Sequence, residues 1–570
     1  MQIRSLLQQY RNGTLTPRMM IDQVLARIAS NPDSQAWIHL LSADELYAYA
    51  DRLAAYSPDS LPLYGIPFGI KDNIDLAGSP TTAACPAFSY LPQQSAFVVQ
   101  RLLDAGAIPI GKTNLDQFAT GLVGVRSPYG TPRNPYSSEH IPGGSSSGSA
   151  VAVANHEVAF ALGTDTAGSG RVPAAFCNLI GVKPSRGLLS TRGVVPACRS
   201  LDCVSIFAED IADAALVFEV AQGFDQQDPF SRHPIPPTPE SRWSFTFGVP
   251  AAADLAFFGN TEYAGLFDQA VRRLEQQGGK KLEIDFTPFR EAARLLYEGP
   301  WVAERYAALQ DFIETHPQEF VPVTHGIIAK GAEPDAVAAF QASYRLQALR
   351  RESDAIWHQI DLLVTPTAGT IYRTLEVLTD PVQLNTNLGY YTNFMNLLDL
   401  AGLALPAGFT AKGLPFGITL AAPAFKDNWL LSLGNRFSTG DEQQLQVAVC
   451  GAHLRGLPLN RQLLELGGRF VREARTAPHY RFFALESEPP KPGLLYSNSG
   501  GASIALEIWQ LPASGLGRLA DSIPAPLGLG KVTLEDGGSV TCFLVEAAAV
   551  EQARDITAFG GWKNYLGMQS

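Results

Sequence analysis

The sequence has 570 residues, 46% of them apolar and 17% charged, with 43 basic against 55 acidic residues and a net charge of -12. That length suits two or three domains around a sizeable core. The acidic balance, with no Lys/Arg run, points away from nucleic acid, and no apolar run reaches the ~18 residues of a membrane span.

The six cysteines, Cys85, Cys177, Cys198, Cys203, Cys450 and Cys542, show no CxxC or Cys/His ligand spacing. They predict free thiols in a reducing compartment, with neither a disulfide framework nor a metal site. Met1-Gln2-Ile3-Arg4-Ser5 has no signal-peptide core. A cytoplasmic protein acting on a small molecule, without membrane or nucleic-acid partners, is expected.

In chain order, the first 55 residues read as helices. Thr16-Pro17 looks like an N-cap with proline at the first helical position, and Ile21, Val24, Leu25 and Ile28 supply a helical apolar face. From Leu61 short apolar runs alternate with Gly, Pro and Asn. The runs are Ile66–Ile70, Ala107–Ile110, Ala150–Ala154, Val158–Leu162, Phe245–Val249, Asp361–Pro366 and Gly417–Ala421, with helical stretches such as Thr261–Gln277 between some of them. That alternation predicts an α/β domain around a mixed sheet. After a last helix, Trp429–Phe437, the texture becomes strand-rich: Leu445–Cys450, Tyr480–Leu485, Ile504–Leu511, and a hairpin of Lys531–Glu535 and Val540–Glu546 turning at Asp536-Gly537-Gly538. A boundary is expected at 439–444, separating a domain of residues 1–440 from one of residues 445–570. Pro234–Pro239 and Glu488–Pro492 read as surface loops.

Three segments carry chemistry. Lys71 closes the apolar run of Pro67-Phe68-Gly69-Ile70-Lys71-Asp72-Asn73. Gly143-Gly144-Ser145-Ser146-Ser147-Gly148-Ser149 leads into Ala150–Ala154, and Thr166-Ala167-Gly168-Ser169-Gly170-Arg171 follows Val158–Gly163. Attack on an amide carbonyl needs an activated hydroxyl, a base and donors for the oxyanion. A lysine taken out of water loses its preference for the charged form, so it can serve as that base. The alternative is a lysine paired with Asp72 or Asp75 at a strand end. Gly144–Gly148 also fits the nucleophile-elbow pattern G-x-S-x-G, but the preceding Glu139-His140-Ile141-Pro142 is not the strand that motif requires.

These segments resemble the amidase signature family, supported by Gly181–Gly187, Leu363–Thr367 and Gly413–Gly417. The likeness covers roughly residues 1–437. It implies Ser169 as nucleophile, Ser145 as shuttle behind a cis peptide bond, and Lys71 as ultimate base. Backbone N–H groups of Thr166, Ala167 and Gly168 form the implied oxyanion hole. No cofactor or metal is implied. The stretch Thr166–Pro173, with Ala167 where many members have glycine, is similar to the allophanate hydrolase branch, as is Asp116–Gly124. That branch hydrolyses urea-1-carboxylate and holds its carboxylate with a tyrosine and an arginine eight positions apart, as Tyr297 and Arg305 are here. On one straight helix eight residues span about 12 Å and roughly 80° of rotation, too much for one small anion. Gly299-Pro300 between them therefore predicts a break, with Pro300 opening a new helix that carries Arg305. The structural alternative is a core Tyr297 and an Arg305 paired with Glu298 or Glu304.

The segment Val447–Gly456 resembles the opening of a γ-glutamylcyclotransferase-like fold. Asp521-Ser522-Ile523-Pro524 departs from the cyclotransferase pattern near its acidic residue. In fungal relatives a histidine in the opening motif is implicated in breaking down the first product, and His453 occupies that place. By family habit the resemblance implies a homodimer and association with a urea carboxylase. Other amidase specificities (malonamate, biuret, or the subunit that feeds ammonia to misacylated tRNA) and a non-catalytic binding protein of the same fold stay open.

Overall fold

The computed structural model describes residues 1–235, 244–439, 444–485 and 490–567. The chain divides into two compact units, Met1–Ser438 and Thr439–Ser570. Most of the expected boundary, 439–444, and parts of the two proline-rich loops lie outside the described residues.

The larger unit is built on one mixed sheet of 11 strands. In chain order these are β1 (Trp37–Leu40), β2 (Pro67–Lys71), β3 (Ile108–Thr113), β4 (Phe160–Asp165), β5 (Ile180–Lys183), β6 (Cys203–Ala208), β7 (Phe245–Pro250), β8 (Gly279–Ile284), β9 (Leu362–Pro366), β10 (Leu400–Phe409) and β11 (Pro415–Pro423). Their order across the sheet is β1-β3-β2-β4-β6-β5-β10-β11-β9-β7-β8. β2 runs parallel to β3 and β4, and β7 parallel to β8 and β9. Antiparallel pairs join these two parallel groups through β6, β5, β10 and β11. Every residue of β2, β3, β4, β5 and β6 is buried. These strands are therefore apolar runs rather than alternating ones, as expected of a sheet covered on both faces.

Thr16 caps the helix Pro17–Ala29 by accepting from the Met19 N–H, with proline at the first position as expected. The N-terminal region is not all helical, because Trp37–Leu40 adds an edge strand beside β3. Its residues are half-buried, too short a run to show periodicity. Ala150–Ala154 belongs to a helix, Ser147–Ala154, buried from Ser147 to Val153. An element enclosed all round has no polar face, so its apolar run reads the same as a central strand.

Among the described residues the smaller unit has a five-stranded sheet and a three-stranded one. Its strands are β12 (Gln444–Val449), β13 (Arg469–Arg475), β14 (Tyr480–Leu485), β15 (Lys491–Tyr496), β16 (Ala505–Pro512), β17 (Leu527–Thr533), β18 (Ser539–Val545) and β19 (Arg554–Asp555). β17 and β18 form the expected hairpin, with Gly537 at φ 85° in the turn. Lys491 and Pro492, expected in a loop, begin β15. Among the described residues no helix is long and apolar enough to cross a membrane.

Phe68 on β2 and Phe160 on β4 are fully buried and stacked, with ring centroids 5.1 Å apart. Phe160→Ala is expected to cost the larger unit about 3–5 kcal/mol, read as a lower midpoint of its unfolding in urea.

Candidate active site

Lys71 is the last residue of β2 and has no solvent exposure. Its Nζ donates to Ser145 Oγ at 2.8 Å and to Thr164 Oγ1 at 2.7 Å. Burial pushes its pKa down; the carboxylates of Asp116, Asp165 and Asp202 pull upward and Arg305 pushes down, leaving it at about 7. The strand-end ion pair does not form. Asp72 pairs with Lys112 at 3.1 Å, and Asp75 accepts from the Thr81 and Tyr90 hydroxyls.

Ser145 follows a cis Gly144–Ser145 peptide bond. A Cβ on Gly144 would lie 2.2 Å from Asp116 Oδ2 and 2.6 Å from Gly124 N, so only glycine fits. Ser146, the serine of the elbow pattern, donates to Thr164 O at 3.1 Å. Ser169 is 4% exposed, and its Oγ donates to Gly121 O at 3.5 Å. Among the described residues no hydrogen bond joins Ser169 to Ser145. The structure thus brings Lys71 and Ser145 into contact and leaves Ser169 lightly held.

The turn 166–170 is organised by two carboxylates. Asp165 accepts from Gly168 N at 2.9 Å and Gly170 N at 3.0 Å, and pairs through both oxygens with Arg171. Burial opposes its charge, but Arg171 overrides that and holds its pKa below the usual carboxylate range. Asp202 accepts from the Thr166 hydroxyl and from the N–H groups of Ala197 and Cys198. Burial raises its pKa to about 6 against the lowering effect of those donors. The Gly168 amide, one of the expected oxyanion donors, is therefore committed to Asp165. Among the described residues the N–H groups of Thr166, Ala167 and Ser169 have no protein acceptor. Gly168 sits at φ 130°, and a Cβ there would lie 2.5 Å from Thr392 Oγ1.

Asp116 shapes the loop facing these serines. Its carboxylate accepts from the N–H groups of Val123 (3.2 Å), Gly124 (2.9 Å) and Arg126 (2.9 Å), while its own N–H donates to Ser145 O at 3.0 Å. Phe118 and Ala119 hold left-handed φ values of 52° and 53°. The Phe118 ring packs on Phe88, Phe312 and Phe320.

The helix Thr287–Glu298 ends before Gly299-Pro300, and a second helix, Trp301–Thr315, carries Arg305, as the sequence predicts. Arg305 is 3% exposed. Its Nη1 donates to Phe118 O, Ala119 O and Thr120 Oγ1 at 3.5, 3.3 and 2.7 Å. Neither glutamate pairs with it: Glu298 binds Arg294, and Glu304 accepts from Cys198 and Ser200. Tyr297 is half-buried against the apolar cluster that includes Ala167.

In the smaller unit His453 lines a cavity with Gln462, Lys491, Ser522 and Phe543. It shares a 2.8 Å hydrogen bond with Gln462 and stacks on Phe543. Burial lowers its pKa, with Lys491 adding to that and Gln462 opposing it. Among the described residues no group of three or more His, Cys, Asp or Glu is placed to hold a metal ion.

Residues 20–431 match the Amidase family model, and residues 445–567 match the allophanate hydrolase C-terminal domain. The chain belongs to the amidase family. It is 42% identical to a urea amidolyase of Lachancea kluyveri over 97% of this chain and 33% of that protein. The chain thus spans about a third of the length of that curated relative. The solved allophanate hydrolase of Kluyveromyces lactis superposes with a TM-score of 0.74 at 40% identity, covering 99% of both chains. A glutamyl-tRNA(Gln) amidotransferase subunit from Microcystis aeruginosa is 32% identical over 76% of this chain and 96% of its own length.

Sequence reasoning gave no role to Asp202, Arg126 or Thr164, and quoted Asp116 only within a motif. For Arg126 the signal is a charged residue closing the apolar stretch Gly121–Val125; the other three carry none that spacing exposes. Asp116→Ala would leave three buried N–H groups without an acceptor at about 1–3 kcal/mol each. Chemical denaturation is expected to show a loss at the upper end of that scale, together with loss of amidase activity.

Proposed function

We propose that this amidase is an allophanate hydrolase acting through Ser169, Ser145 and Lys71. The observation that carries the reading is the solvent-free Lys71 amine on Ser145 Oγ at 2.8 Å, with a pKa of about 7. At and above neutral pH its lone pair takes the Ser145 proton as Ser145 takes that of Ser169. The missing Ser169–Ser145 bond is formed when Ser169 leaves Gly121 O; at 3.5 Å that bond is at the long limit of hydrogen bonding and cheap to give up. Ser169 Oγ then attacks the terminal amide carbonyl of urea-1-carboxylate. The C–N bond breaks, ammonia departs with the relayed proton, and water releases the acyl group as N-carboxycarbamate, which falls to ammonia and carbon dioxide. The Thr166, Ala167 and Ser169 N–H groups serve the oxyanion, with Gly168 fixing the turn by its bond to Asp165.

The carboxylate end of the substrate is assigned to Tyr297 and Arg305. Arg305 is a buried guanidinium without a carboxylate partner among the described residues, and its fork suits two carboxylate oxygens. His453 is assigned to breakdown of the first product. The same reading takes the enzyme as a cytoplasmic homodimer that works beside a urea carboxylase. The amidotransferase alternative accounts for the larger unit but leaves residues 445–567 without a role.

Three outcomes test this. A fluorophosphonate should label Ser169, which separates an enzyme from a binding protein of the same fold. Below a pH of about 7 the rate of labelling should fall tenfold per pH unit, because a protonated Lys71 accepts no proton; a flat profile from pH 5 to 9 would sink the lysine base. Arg305→Ala should raise KM for allophanate by about 10²-fold or more; Ser169 should still be labelled, with its pH profile moved upward because Arg305 holds the Lys71 pKa down. Ammonia release from allophanate, biuret and glutamine then ranks the substrates.

A further inference from the structure

Arg126 lies on the Asp116 loop and is 2% exposed. Two other buried cations of this unit have carboxylate partners, Lys112 with Asp72 at 3.1 Å and Arg171 with Asp165 at 2.9 Å, whereas Lys183 and Arg305 bond to carbonyl, hydroxyl or sulfur atoms. Arg126 likewise has no carboxylate partner among the described residues. Its Nη1 donates to Thr120 O at 2.9 Å, its Nη2 to Pro381 O, and its Nε is buried without a partner. Asp116 is close enough to act on its charge, yet that carboxylate is occupied by main-chain N–H groups, including the one of Arg126 itself.

Thr120 links this guanidinium to the next. Its carbonyl accepts from Arg126 and its hydroxyl accepts from Arg305 Nη1 at 2.7 Å. Two buried like charges bracket one residue, with Tyr297 within electrostatic reach of Arg126. Such charges repel and have lost their water, and an anion between or beside them relieves both costs. A neutral guest does not.

We infer that Arg126 is a positioning residue that makes the pocket selective for an amide bearing a carboxylate: it fixes Thr120, which orients Arg305, and its own charge adds to the field that the carboxylate meets. The inference rests on the assignment of Tyr297 and Arg305 to the substrate carboxylate. It goes beyond that pair by placing selectivity in a residue that does not touch the substrate.

The test uses the full chain and two amides of nearly equal size, malonamate (an anion) and malonamide (neutral), with malonate as a competing anion. Ammonia release by the unmodified protein should favour malonamate; equal use of both would overturn the carboxylate assignment itself. With that preference in place, Arg126→Gln is expected to raise KM for malonamate and Ki for malonate by about tenfold or more, with kcat moving far less. The malonamate-to-malonamide ratio of kcat/KM should fall by a similar factor. Arg126→Lys, which keeps the charge but not the fork, should recover part of the ratio. Should Arg126→Gln fail to fold, Arg126→Lys carries the test, with a partial fall in the malonamate-to-malonamide ratio expected. An unchanged ratio in the variant that folds, or an equal loss on both amides, overturns the inference while leaving the carboxylate assignment standing.

Discussion

An amine held away from water is the constraint on which this site depends. The ammonium form of Lys71 has no solvent, and burial alone would carry its pKa lower still. Asp116, Asp165 and Asp202 bring it back to about 7. None of the three is a spare charge. Asp116 gathers the N–H groups of the loop under Ser145, Asp165 ties down the turn that presents Ser169, and Asp202 holds the Thr166 hydroxyl. The groups that tune the base are the groups that shape the site, so changing one changes both.

Much of this was legible from local signals. Lys71 closing an apolar run, the serine and glycine clusters, and the Gly299-Pro300 interruption between Tyr297 and Arg305 are short-range features, each open to a plain structural reading until the resemblance to the amidase signature family gave it a chemical one. The β17–β18 hairpin is also a short-range feature. The β1 strand was hidden because four half-buried residues, Trp37–Leu40, show no periodicity. The helix Ser147–Ala154 was ambiguous because it is enclosed on all sides. The commitment of the Gly168 amide to Asp165 could not be read, since composition gives the donor and not the direction in which it points. Asp202 and Arg126 escaped for a related reason: part of their meaning lies in partners distant along the chain, Thr166 for Asp202 and Pro381 for Arg126.

The two units pose separate chemical problems. The larger one concentrates buried charge and resolves it with paired carboxylates, main-chain donors and, at Arg126 and Arg305, carbonyl and hydroxyl oxygens. The smaller one places a single neutral-leaning imidazole, His453, in a small cavity with Lys491. A histidine with a lowered pKa beside an ammonium group favours the unprotonated ring.

Asp116 grips its loop solely through peptide groups: Val123, Gly124 and Arg126 each contribute an amide hydrogen, not a side chain. The anchor is therefore indifferent to what residue 126 carries beyond its Cα. An exchange at 126 would spare that knot and remove only the guanidinium's own bonds to the Thr120 and Pro381 carbonyls.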